Sequence, residues 1–198
     1  MTNSKPETTS DEITLGLTEG EQTKVTERIQ KLADSLTGDG LEFLMNASEY
    51  LQRNSVSNGT EQKLRSDKSF VFPDLFERTA DEILQPCPKL KDNKPLIKGC
   101  TDRGKVFRAL CVAKGIPAVF VDTLDANYLE AIKSAGQIIE PKRGHVFIDV
   151  CVDGEWHTVN PGFNEPILQY SNYWSWSRFS RLRLPQYPRI QKLVAKST

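Results

Sequence analysis

Asp153-Gly154 constrains this chain more than any other pair of residues. The pair separates two stretches of mostly apolar, alternating character, 144–152 and 155–161. In that setting Asp-Gly is a strong signal for a two-residue hairpin turn, because both turn positions need positive φ. The turn pairs Val152 with Glu155, Cys151 with Trp156, Asp149 with Thr158 and Phe147 with Asn160. His145 then shares a face with Asn160 as its diagonal neighbour, with Cα atoms about 7–8 Å apart. A histidine–asparagine hydrogen bond therefore follows from turn chemistry. His157 falls on the opposite face with Val146, Ile148 and Val150, which makes His145 the candidate base.

The second constraint is Gly99-Cys100-Thr101-Asp102, which opens a helix that stops at Gly115-Ile116-Pro117. On a 3.6-residue period Cys100, Val106, Phe107, Leu110 and Cys111 share one broad arc. Arg103, Lys105, Arg108 and Lys114 fall mostly outside it. Gly115 is the expected stop, with Pro117 beyond it. A cysteine at a helix start meets unpaired N–H groups and the positive end of the dipole. Both favour a thiolate, and the same N–H groups can hold an oxyanion. Cys100, His145 and Asn160 thus form a candidate nucleophile, base and orienter.

Composition narrows the alternatives. The 26 basic and 26 acidic residues cancel, so no global charge directs the chain to nucleic acid or to a membrane surface. No apolar run reaches the ~18 residues of a membrane span. The first residues lack the apolar core of a signal peptide, which predicts a cytoplasmic protein. Cys87, Cys100, Cys111 and Cys151 contain no CxxC pair, so neither a structural zinc site nor a disulfide scaffold is expected.

Residues 1–17 read as a mobile polar segment. A capping box at Thr18-Glu19-Gly20-Glu21 predicts a helix through Val25, Ile29, Leu32, Ala33 and Leu36. After a break at Gly38-Asp39-Gly40, residues Leu41, Leu44, Met45, Ser48 and Leu51 predict a second helix. The two make an αα-hairpin over 18–54. Residues 53–69 read as a loop with a turn at Asn58-Gly59. Thr79-Ala80-Asp81-Glu82 caps a short helix, and Pro86, Pro88 and Pro95 keep the chain extended up to Gly99. Residues 118–122 read as a buried strand and 125–135 as a helix. Aromatic residues at 170–179 and a basic tail over 185–198 close the chain. The expected fold is α+β: an antiparallel sheet with the cysteine helix packed on it, plus the N-terminal hairpin.

Gly99-Cys100-Thr101-Asp102, Ala113-Lys114-Gly115-Ile116-Pro117-Ala118, Gly144-His145-Val146-Phe147 and Trp156-His157-Thr158-Val159-Asn160-Pro161 together resemble the transglutaminase-like superfamily, a papain-like thiol fold. The likeness covers about 79–161 and is nearest to microbial, minimal-core members, with the core expected over 70–184. It departs from the pattern at Asn160, where Asp is usual, and at Val119, where Arg is frequent. The resemblance implies acyl transfer or hydrolysis at a carboxamide or peptide bond of a protein or peptide, through Cys100, His145 and Asn160. It implies one oxyanion donor from the Cys100 backbone and a second from upstream, with Gln85 and Asn93 as candidates. It implies no calcium or other cofactor. The alternative is a catalytically silent module of the same fold that binds protein through the hairpin or the cleft.

Overall fold

The computed structural model describes residues 10–74, 77–124, 131, 134–136, 144–163, 166–167 and 182–184. The aromatic run at 170–179, the basic tail and most of the helix expected over 125–135 lie outside them. The elements run α1 (Ser10–Leu17), α2 (Glu27–Ser35), α3 (Gly40–Asn54), α4 (Asn58–Ser66), α5 (Ala80–Ile83), α6 (Gly99–Ala113), β1 (Ala118–Leu124), β2 (Gly144–Val152), β3 (Glu155–Val159) and β4 (Leu182–Leu184). The architecture is α+β, with an antiparallel sheet of order β3-β2-β1-β4.

The hairpin forms in the expected register. Val152 pairs with Glu155, Cys151 with Trp156 and Asp149 with Thr158. Asp153 and Gly154 take φ of 50° and 79°, the two positive values that the turn needs. On one face a cross-strand pair is closed by the Thr158 hydroxyl, which donates to Asp149 Oδ1 at 2.7 Å. The ladder continues into β1, with Ala118 opposite Val150 and Phe120 opposite Ile148.

Helix α6 lies against the face formed by Phe120, Val146, Ile148 and Val150. Gly104 permits the close approach, since a Cβ there would sit 3.2 Å from Val146 Cγ1 and 3.4 Å from Phe120 Cε1. The helix ends as predicted. Gly115 adopts φ of 69°, its N–H bonds the Val112 carbonyl, and the Ile116 N–H bonds the Cys111 carbonyl. These are the two bonds of a Schellman cap. On its other sides α6 meets α2, α3 and α5. Ile29, Ala33, Phe43, Leu44, Ala47 and Leu51 from α2 and α3 join Phe107, Leu110 and the sheet in one apolar core.

Four expectations are corrected. Ser10–Leu17, read as part of a mobile segment, is helical, and its buried Gly16 lies so close to Pro117 that a Cβ would approach Pro117 Cβ to 2.7 Å. The capping box predicted at Thr18 does not form: the Thr18 hydroxyl donates back to the Thr14 carbonyl at 2.9 Å, the 3-10 turn Glu21–Thr23 follows Gly20 without a side-chain cap, and α2 starts later, at Glu27, with Thr26 as its cap. The stretch 53–69, read as a loop, carries α4, because the Ser57 hydroxyl accepts from the Thr60 N–H and makes Asn58-Gly59 the first turn of a helix. Lys105 and Arg108, read as lying outside the buried arc of α6, are fully buried. Helix α6 is enclosed on nearly every side, and its cations are satisfied from within.

Candidate active site

Lys98 precedes α6 in an extended conformation and makes no side-chain cap. Gly99 follows at φ 72°, a value that glycine adopts without strain. Cys100 is therefore the second residue of a 15-residue helix whose N-cap side chain makes no capping hydrogen bond. The Asp102 carboxylate reaches back to the Lys98 N–H at 2.8 Å and fixes the turn that leads into the helix.

His145 enters from the start of β2. Its Nε2 meets Asn160 Oδ1 at 2.9 Å, the diagonal contact expected from the hairpin register. An amide oxygen only accepts, so Nε2 carries the proton and Nδ1 is left for the thiol. His145 and Cys100 are hydrogen-bonded to each other. Phe147 stands edge-on to the imidazole, with ring centres 4.6 Å apart. Asn160 is buried, and its N–H donates to the Pro166 carbonyl at 2.7 Å.

The electrostatics follow from these contacts. Burial pushes the Cys100 thiol up. The hydrogen bond and charge of His145, the Val146 N–H and the Arg103 guanidinium outweigh burial and hold the thiol below its ordinary value. Burial pushes the His145 imidazolium down, but the bond to Cys100, its charge and the Asn160 amide hold the ring above its ordinary value, with Arg103 opposing them. Opposite shifts on a bonded thiol and imidazole favour the thiolate–imidazolium form.

The structure brings Cys100, His145 and Asn160 together. It places Gln85 elsewhere: exposed after α5, on the wall of a cavity of about 470 Å³ shared with Phe70, Cys87 and Leu96. Asn93 is exposed at φ 51° in the 3-10 turn Lys91–Asn93. Neither side chain bonds a triad member among the described residues. His157 takes its place opposite Val150.

Two residues at the site escaped the sequence reading. Ser48 of α3 accepts the Gly162 N–H at 2.8 Å and donates to the Phe163 carbonyl at 3.4 Å. Arg103 lies one turn after Cys100 and touches the same loop. A serine within an amphipathic helix and an arginine assigned to the solvent side give no signal in sequence; only the approach of the 160–163 loop gives them work.

No protein-family model matches this chain, and no curated protein matches it. Among solved structures, it is similar to a "putative cysteine protease" from Cytophaga hutchinsonii, with a TM-score of 0.50 at 15% identity. The match covers 81% of this chain and 46% of that one, so the present chain spans less than half of that protein's length. At this identity the likeness is one of fold alone.

Proposed function

We propose that this chain is a transglutaminase-like thiol enzyme acting on a carboxamide or peptide carbonyl. The observation that carries the reading is the continuous contact Cys100–His145–Asn160, with the thiol at an uncapped helix start. In the reaction Cys100 Sγ attacks the carbonyl carbon and the C=O π electrons move onto oxygen. The backbone N–H of Cys100 stabilises that oxyanion. His145 holds the thiol proton and passes it to the leaving amine as the C–N bond breaks. Asn160 keeps the ring oriented between the two partners. Water or a second amine then attacks the thioester, His145 takes the incoming proton, and Cys100 leaves as thiolate.

The deciding measurement is the rate of Cys100 alkylation by iodoacetamide against pH, located by mass spectrometry, in the intact chain and in His145→Ala. A poised pair alkylates well below the ordinary thiol pKa of about 8.5, and loss of His145 slows it about tenfold or more at pH 6. The mass of the peptide product of glutamine peptides with an added amine, glutamate or amine-substituted glutamine, then separates hydrolysis from transfer. A thiol that titrates in the ordinary range and ignores His145 sinks the enzyme reading and leaves the protein-binding module.

A further inference from the structure

One side chain ties the helix carrying Cys100 to the loop that follows Asn160. Arg103 Nε donates to the Gly99 carbonyl at 3.0 Å, and its Nη1 donates to the Gly162 carbonyl at 3.3 Å. The guanidinium lies over the Phe163 ring, 5.0 Å from its centre, and that ring centre is 6.4 Å from the centre of His145. Gly162 is shaped to receive the arginine: its φ is 81°, and a Cβ would come within 2.5 Å of Arg103 Cδ. From the other side Ser48 holds the Gly162 N–H. Both backbone polar groups of residue 162 are therefore occupied, one by α3 and one by α6.

We propose that Arg103 is a positioning residue of the thiol site, clamping the start of α6 to the loop after Asn160 and supplying a fixed positive charge beside the Cys100–His145 pair. The inference rests on reading Cys100 as the nucleophile. A guanidinium presents its donors in a rigid fork and can serve two carbonyls at once; a lysine brings the same charge as a single point. The charged groups acting on Cys100 are His145 from β2 and Arg103 from its own helix. Asp102 acts on Arg103, and α3 brings the uncharged Ser48 to the adjoining loop.

Charge and clamp have different signatures. The alkylation profile has two limbs, the lower set by ionisation of the Cys100 thiol and the upper by loss of the His145 imidazolium proton. Removing a positive charge raises every neighbouring pKa, so both limbs move to higher pH. Loosening the thiol–imidazole contact raises the thiol and lowers the ring, so the limbs move towards each other. The test measures that profile, together with amide exchange at Asn160, Gly162 and Phe163, in the intact chain, Arg103→Gln and Arg103→Lys. In Arg103→Gln both limbs are expected to rise by about half to one pH unit, with faster exchange in the loop. In Arg103→Lys the limbs stay near their original positions while exchange rises as in the glutamine variant. Limbs that do not move in Arg103→Gln, or a lysine that restores slow exchange, overturn the inference. Should Arg103→Gln not fold, the lysine variant decides: fast loop exchange with unmoved limbs supports the clamp, and exchange like that of the intact chain overturns it. A flat, His145-independent profile in the intact chain defeats the nucleophile itself. Unmoved limbs in Arg103→Gln, on a poised intact chain, defeat only the role of the arginine.

Discussion

The two ends of α6 each bury charge, and they bury it differently. Near the C-terminal end Arg108 is fully enclosed. Its Nε donates to the Ala118 carbonyl at 2.9 Å, Nη1 to the Thr23 hydroxyl at 2.6 Å and Nη2 to the Thr18 carbonyl at 2.7 Å. All three guanidinium nitrogens are used, and no carboxylate pairs with it among the described residues. Near the N-terminal end Asp102 pairs with Arg78, and Lys105 Nζ donates to the Arg78 carbonyl at 2.7 Å. Here the accounting does not close: among the described residues, Asp102 Oδ1 and Arg78 Nε are buried without hydrogen-bond partners. Burial pushes the Asp102 carboxyl up to about 6, against the pull of Arg78 and Lys105. Burial likewise pushes Lys105 down to about 8. One end is a completed staple joining three segments. The other carries unpaired polar atoms two residues from the candidate nucleophile, where sites that do chemistry tend to tolerate such a cost.

The largest expected effect breaks the staple. Arg108→Met removes three charge-assisted hydrogen bonds, to the Ala118 and Thr18 carbonyls and the Thr23 hydroxyl. It should destabilise the fold by about 3–5 kcal/mol. The urea midpoint should fall at an unchanged slope, while the alkylation profile of Cys100 keeps its position. A loss under ~1 kcal/mol would mean that the two ends do not differ in the proposed way.

The next effect sharpens the contrast through pH. A folded Asp102 near 6, above the ordinary 3.8, binds a proton that the unfolded chain has already released. Its contribution to stability is therefore greatest below about pH 4 and is lost as pH rises through 6. A folded Lys105 near 8, below its ordinary 10.5, works in the other direction, so stability returns above about pH 8. Together they weaken the fold most between about pH 6 and 8, each by up to ~3 kcal/mol. Urea midpoints taken from pH 4 to 6.5 should fall for the intact chain relative to Asp102→Asn. Parallel curves for the two proteins would remove this account of the N-terminal cluster.

The smallest effect isolates a single contact of the staple. Thr23→Val keeps the shape of a buried side chain but withdraws one acceptor from Arg108. The expected loss is about 1–2 kcal/mol. Combined with Arg108→Met, the two losses should fall short of their sum, because both remove the same bond. Full additivity would show that the threonine acts independently of the arginine.

The sequence by itself determined what local chemistry can determine. Asp153-Gly154 set the β2–β3 register, because a two-residue turn with two positive φ values admits one pairing, and that register placed His145 beside Asn160. Thr79 with Glu82 set the capping box of α5, both halves of which form. Gly115 set the end of α6, through the conformation that only a residue tolerant of positive φ takes cheaply. The tertiary structure decided the rest. Periodicity sent Lys105 and Arg108 towards water, yet carbonyls and a hydroxyl from distant segments replace that water, and both are buried. The capping box at Thr18 does not form, because the Thr18 hydroxyl turns back to the Thr14 carbonyl at the end of α1. Ser48 and Arg103 gained their places only when the loop after Asn160 came down between α3 and α6. A turn or a cap is satisfied within a few residues of chain and is legible there. A buried charge is satisfied by whatever the whole fold brings to it, and no window of sequence contains its partners.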